Sequence, residues 1–407
     1  MARKPDSLLK VLYIVYWGAA EPLGQSLVLP TIKNLAKMGV KVTLLTFEKP
    51  TDMANQRFIT EIQTQFEQLG VNWITLRYNK RPKVVLDVLQ GVLSAFVIGF
   101  RMRPDIVHAR TFIGGLIGLF IAPLLGARLI FHNEGFYPDE QVDGGVWKEH
   151  SRIHRICKFL EGKMYDRANG LIVLSHRAKD VIKAVPKVIR KKTPVIVVPS
   201  CVDLELFQKK ETTLLQPDAK LRLVYIGSAG RRYRLDKISR FVAIAEQEIG
   251  SVHLQVLSHT EKSEVHSLLK TGGLSERNWL YNCLPHTEIP NQLIHYHAGL
   301  FFLSQGLSEH GCSPTKIGEY WACGLPVITT PNVSDTDEII RREKVGVVVE
   351  GHTDEAYRRA IQDLLELLAT PKLSERCRRA AEKYYSLNPA CERQLHLYKS
   401  LVTGNEF

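Results

Sequence analysis

The sequence predicts an α/β protein of two doubly wound parallel-sheet domains facing across a cleft. Three observations predict it. Apolar runs of four to six residues alternate with helical patterns along the whole chain. Such uninterrupted runs mark strands covered on both faces. The series stops in a polar stretch at 208–220 and restarts with LRLVYIGS. Finally, 407 residues are enough for two cores of ordinary size.

The first series opens with LYIVY at Leu12–Tyr16, a glycine-bearing loop and an amphipathic stretch at Ser26–Met38. VTLLTF, WITLRY, DIVHAR, RLIFH, LIVLS and VIVVP follow as strands. The second series is LRLVYIGS, VHLQVLS, WLYNC, GLFFLS, PVITT and VGVVV. The expected domains are 1–203 and 204–386, with 387–407 as a helix that packs back on the first domain. Two segments invite a different reading. Lys10 interrupts the apolar start MARKPDSLLKVLYIVYWGAA, so VLYIVY reads as a buried strand rather than a cleaved leader. Thr111–Ala127 has seventeen residues without a charge, but its glycines and Pro123 favour a buried helix over a membrane span.

Composition narrows the function. The formal net charge is +12, and Lys148–Lys192 holds 13 Lys+Arg against 4 Asp+Glu, so most of the excess is local. A block like this suits an acidic partner, with peripheral contact to anionic membrane the reading chosen here and a solvated helix face the plainer one. No nucleic-acid recognition motif accompanies it. The seven cysteines are odd in number and widely spaced, with no CxxC. That fits a reducing, cytoplasmic compartment and neither a zinc site nor a disulfide framework. No GxGxxG follows either first strand, which disfavours a dehydrogenase.

The most informative stretch is HGCSPTKIGEYWACGLPVITT, His310–Thr330. Ser313 reads as the N-cap of a short helix of about three turns, and Pro314 as its first residue. Gly324 reads as the left-handed stop before the strand PVITT. The helix start offers free N–H groups and a positive dipole end, and Lys316 adds a full charge, which suits a phosphate. Thr315 and Glu319 share a face, about 6 Å apart along the axis. That is near the spacing of a nucleotide's diphosphate and its ribose, whose two hydroxyls a carboxylate can accept. A plain surface pair between Lys316 and Glu319 is the alternative.

SPTKIGEYWACGLPVI resembles the donor-site signature of the GT-B glycosyltransferases, in particular the retaining family 4. Glu21–Lys49, Leu171–Ser175, Val197–Phe207 and Leu223–Ser228 resemble other pieces of that family in the same order. The resemblance implies two Rossmann-like domains and transfer of a sugar, with retention, from a nucleotide diphosphate sugar to an acceptor hydroxyl. It implies a role in building polysaccharide, lipopolysaccharide or glycolipid, with a glycan or lipid-linked acceptor and no metal or other cofactor. Glu319 matches the ribose-binding Glu; Ser313, Thr315 and Lys316 match the phosphate-binding helix start; Gly24 matches the glycine loop near the donor phosphates. Cys283 and Leu284 match the loop that holds the base, and Ser228 ends the first donor-domain strand. Arg234 and Arg231 match the basic pair on the leaving diphosphate, with Arg232 and Lys237 as alternatives. His132 matches a His that faces the transferred sugar or the acceptor, and Arg110 and Glu134 are acceptor-side candidates. The sequence departs from the family at Gly311, where many members carry a second Glu. Glu309 or the Gly311–Cys312 turn is expected to replace it. A sugar-nucleotide epimerase of the same shape, or a non-catalytic nucleotide-binding member, is the alternative function.

Overall fold

A computed structural model describes residues 8–79, 84–209, 220–230 and 232–404. Arg231 and most of the 208–220 stretch lie outside the described residues. The chain falls into two compact units: Met1–Pro138, Lys148–Pro199 and Leu387–Phe407 form one, and Asp139–Trp147 with Ser200–Ser386 form the other.

In the first unit, β1 (Leu9–Val15), β2 (Val40–Glu48), β3 (Asn72–Arg77), β4 (Ile106–Arg110), β5 (Arg128–Asn133), β6 (Gly170–Val173) and β7 (Val195–Val197) form one parallel sheet. Its order is β3-β2-β1-β4-β5-β6-β7, so the winding reverses between β1 and β4. The continuous apolar runs are strands because both faces are covered: Val11 to Val15 are all fully buried. Thr111–Leu125 is a helix, as expected, and Gly114, Gly115 and Gly118 are on its buried side. A longer apolar helix, Val84–Met102, has no counterpart among the segments singled out above. By length and composition it could cross a membrane. The Leu387–Thr403 helix belongs to this unit and packs against the Leu29–Lys37 helix.

In the second unit, β8 (Leu221–Ile226), β9 (Val252–Leu257), β10 (Trp279–Asn282), β11 (Ala298–Phe301), β12 (Val327–Thr329) and β13 (Gly346–Val348) form a second parallel sheet, in the order β10-β9-β8-β11-β12-β13. Its winding reverses between β8 and β11, and ligands in such sheets sit off the carboxyl ends of the strands at that point. Every run read as a strand in the sequence is a strand of one of the two sheets.

The Thr315–Ala322 helix is seated on β8 and β11 by one side chain. The Tyr320 hydroxyl accepts the Ile226 N–H at 2.9 Å. Its ring lies so close to β11 that a Cβ on Gly299 would come within 2.5 Å of it. On the same helix the Trp321 indole donates to the Val345 carbonyl at 2.9 Å. Gly324 ends the segment at φ +85, as expected. Gly299→Ala should therefore lower stability by about 1–3 kcal/mol, as overpacking of a filled core does. Urea unfolding measures this, and a midpoint equal to wild type would show that Tyr320 does not fix the helix.

Candidate active site

In the second unit, four predicted residues gather at the start of the Thr315–Ala322 helix. Ser313 is not its N-cap. Pro314 holds that position with no side-chain cap, and the Ser313 hydroxyl instead accepts the Ser200 N–H at 3.1 Å. The helix is also shorter than expected, at eight residues. With no side chain on its first N–H groups, this helix start is open to an anion.

Lys316 is buried, and its ammonium lies over three rings: Tyr233 at 4.7 Å, Phe301 at 4.8 Å and Tyr225 at 5.8 Å. Aromatic faces hold a cation without neutralising it. The ammonium also abuts the turn after β8, where a Cβ on Gly227 would come within 2.3 Å of it. Gly227 has φ +123, so a side chain there would be strained as well as blocked. Ser228 is exposed beside it, and its carbonyl accepts the Tyr225 hydroxyl. Burial lowers the Lys316 pKa to about 8, even though Glu319 pulls it upward.

Glu319 lies one turn on, buried, and contacts His286 Nε2 at 2.8 Å. Burial disfavours a charge on His286, but the hydrogen bond and charge of Glu319 outweigh it and raise its pKa. His286 lies two residues past Leu284, so the expected base loop is tied to the expected ribose carboxylate. Cys283 is exposed and contacts His259 Nδ1 at 3.0 Å, while Leu284 packs on the core beneath the helix.

The basic residues after β8 divide. Arg234 makes a two-point bond to Asp236, at 2.9 and 2.7 Å, and its other electrostatic neighbours include Tyr357 and His352. Arg232 points elsewhere. It pairs with Glu140 at 3.1 Å and lies in electrostatic reach of Cys312, which also acts on Lys316. Its Nε and Nη2 are buried without a hydrogen-bond partner among the described residues. Arg231 lies outside those residues. The Glu309 carboxylate is turned into its own loop, where it accepts the Gly306 N–H at 2.7 Å.

In the first unit the candidates meet at the carboxyl ends of β4 and β5, where Arg110 and His132 are register partners. The buried Arg110 guanidinium pairs with Glu134, Nε to Oε1 at 2.5 Å, and lies over Trp17. His132 sits at the end of a relay. The Gln394 amide donates to the Tyr398 hydroxyl at 2.7 Å, and that hydroxyl meets His108 Nδ1 at 2.7 Å. His108 Nε2 in turn meets His132 Nδ1 at 3.1 Å. Burial, then Arg110, keeps both histidines neutral, with pKa values well below 6.5. The Nε2 edge of His132 is buried and has no hydrogen-bond partner among the described residues. His132 is thus a neutral imidazole with one nitrogen unused in this arrangement. Gly24 opens a π-turn at Gly24–Val28, where a Cβ would come within 2.1 Å of the Gly18 carbonyl. That loop is held by Glu48, which accepts the Ala19 and Ala20 N–H groups at 2.8 and 3.2 Å.

Sequence reasoning missed His286, Tyr320, Glu48, His108 and Tyr398. A signal existed only for His286, two residues past Leu284. Among the described residues no group of three or more His, Cys, Asp or Glu could hold a metal ion.

Residues 25–206 match Glycosyltransferase Family 4, and residues 205–384 match Glycosyl transferases group 1. A search of curated proteins finds no match to the sequence. Among solved structures, sucrose-phosphate synthase from Thermosynechococcus elongatus aligns with a TM-score of 0.72 at 15% identity, covering 98% of this chain and 100% of that one. Anabaena HepE in complex with UDP aligns at 0.68 and 13% identity, covering 96% and 100%. A putative UDP-N-acetylglucosamine 2-epimerase from Listeria monocytogenes aligns at 0.60 and 16% identity, covering 98% of each. At these identities the likeness shows the shared fold.

Lys316 gives this site a pH signature. Its proton leaves the ligand-free protein as pH rises through about 8, which removes a positive charge from the anion site. Affinity for a nucleoside diphosphate should therefore fall as pH rises from 7 to 9 and stay nearly flat in Lys316→Met. Calorimetric titration across this range checks it; parallel profiles for the two proteins would contradict it.

Proposed function

Because the chain belongs to the family 4 glycosyltransferases of the GT-B fold, it is a sugar-transferring enzyme, and we propose that it moves a sugar from a nucleoside diphosphate sugar to an acceptor hydroxyl with retention at the anomeric carbon. The observation that carries this reading is the buried pair of Lys316 and Glu319, one turn apart at an uncapped helix start. Lys316 and the first N–H groups, with those of Thr315 and the Ser313 turn beside them, take the diphosphate. Glu319 takes the ribose hydroxyls, exchanging its contact with His286 for them. Backbone groups of Cys283 and Leu284 hold the base, and Ser228 lies beside the diphosphate.

The leaving diphosphate gathers negative charge as the glycosidic bond breaks, and preorganised cations stabilise that charge without solvent rearrangement. Lys316 is one such cation. Arg232 is the better second one: it is held at one point by Glu140 and its Nε and Nη2 have no hydrogen-bond partner among the described residues, whereas Asp236 occupies two points of Arg234. No metal is needed in this scheme, since the chain's own cations neutralise the diphosphate. In the first unit His132, kept neutral by burial, binds a hydroxyl of the transferred sugar or the acceptor, and Arg110 with Glu134 lines the acceptor side. The acceptor belongs to a cell-surface glycan or glycolipid under construction, reached from the cytoplasmic face of the membrane. The basic 148–192 block contacts that anionic surface.

UDP-glucose is the first donor to test, since a solved structure of Anabaena HepE contains it. Released nucleoside diphosphate and the anomeric configuration of the product, read by NMR, test the reaction. The anomeric configuration of the donor should be kept, and Lys316→Ala should lower kcat by roughly 100- to 1,000-fold, as loss of one transition-state donor does. Inversion, or conversion of the sugar nucleotide without transfer, would reject the reading.

A further inference from the structure

The Val84–Met102 helix is turned inside out for a globular protein. Its buried residues are Asp87, Gly91, Ala95 and Gly99, one every fourth position. This small-residue face packs tightly on the Thr111–Leu125 helix: a Cβ on Gly91 would come within 2.5 Å of Ile117, and one on Gly99 within 2.2 Å of Leu125. Asp87 fastens one end, accepting the Tyr16 hydroxyl at 2.8 Å and the Asn79 N–H at 3.1 Å. The opposite face exposes Val85, Leu86, Leu89, Leu93, Phe96, Val97 and Phe100, with Leu93 68% and Phe100 70% exposed.

The apolar surface continues onto its neighbours. Thr111–Leu125 adds exposed Phe120 and Leu124, and packs in turn against Arg152–Arg167. There Ile153, Ile156 and Phe159 stand exposed on the same helix as Arg152 and Arg155. Among the described residues, these three adjacent helices carry 12 of the 18 exposed large apolar side chains, so they form a patch rather than scatter. The charge on this surface has one sign. Arg101, Arg152, Arg155 and Arg167 are exposed, whereas Asp87 and Glu161 are buried and Asp166 is bonded to Lys187.

We propose that the first unit sits on an anionic lipid surface through this patch, with the Val84–Met102 helix lying in the plane of the membrane interface. Its apolar face enters the acyl boundary while the arginines meet the headgroup phosphates. The helix does not span, because its glycine face and Asp87 are locked into the unit. Charge selects the occupant: a second copy would bring like-charged arginine rows together, whereas anionic lipid complements them. The inference deepens the membrane contact proposed above by naming the apolar surface that makes it, and it stands independently of the donor.

Co-sedimentation of the full chain with vesicles tests it, with lipids of phosphatidylglycerol and phosphatidylethanolamine against phosphatidylcholine alone. The wild type should bind the anionic vesicles and bind phosphatidylcholine weakly. Leu93→Glu combined with Phe100→Glu should weaken binding at least about tenfold, because it puts charge at the acyl boundary. Arg152→Glu with Arg155→Glu should remove most of the salt-sensitive part. Unchanged melting curves show that the variants are folded. A Leu93→Trp reporter should be quenched by brominated acyl chains. Three results would overturn the proposal: no binding of wild type to anionic vesicles, wild-type binding by the glutamate variant, or a solution dimer that the glutamate variant converts to monomer.

Discussion

The second unit depends on one buried ammonium. Lys316 sits at the start of a helix, among the rings of Tyr225, Tyr233 and Phe301. Burying a charge without a counter-ion is costly, and that cost appears as a pKa lowered to about 8. Several features serve to keep the ammonium in place. Gly227 leaves room for it, Tyr320 seats its helix on the sheet, and Tyr233 roofs it. Under the proposed function a diphosphate would supply the missing counter-charge. The protein carries the desolvation cost in advance, which leaves less reorganisation for the reaction itself.

The first unit uses the opposite strategy. Its polar groups at the ends of β4 and β5 are already partnered: Arg110 with Glu134, and His132 with His108. Among the described residues the buried Nε2 of His132 has no hydrogen-bond partner. A chain of contacts from Gln394 through Tyr398 and His108 holds the His132 ring in place. The Leu387–Thr403 helix supplies two members of that chain, so a helix distant in sequence supports His132.

The fold was legible because buried parallel strands write themselves as continuous apolar runs, and LYIVY, VTLLTF and LVYIGS are unmistakable. Glu319 and Lys316 were legible because helix start and spacing are local. What was not legible depends on distant partners. Nothing near Ser313 reveals that Ser200 will occupy its hydroxyl. Asp236, which takes Arg234, lies within GSAGRRYRLDK, but nothing in that stretch reveals that Arg232 turns toward Glu140 and Cys312. The Val84–Met102 helix was passed over for a related reason. Its sequence is apolar on nearly every face, and only packing shows that the small residues point inward.

The central claim is that the Thr315–Ala322 helix start is a nucleoside diphosphate cradle, and thermal unfolding with UDP, GDP, ADP and dTDP tests it most directly. At about 100 times its Kd, a bound diphosphate should stabilise the wild type by roughly 2.7 kcal/mol. One of the four should do so, and Glu319→Ala should lose most of that shift while keeping its unliganded fold. No shift with any diphosphate, or an equal shift in Glu319→Ala, would contradict the account.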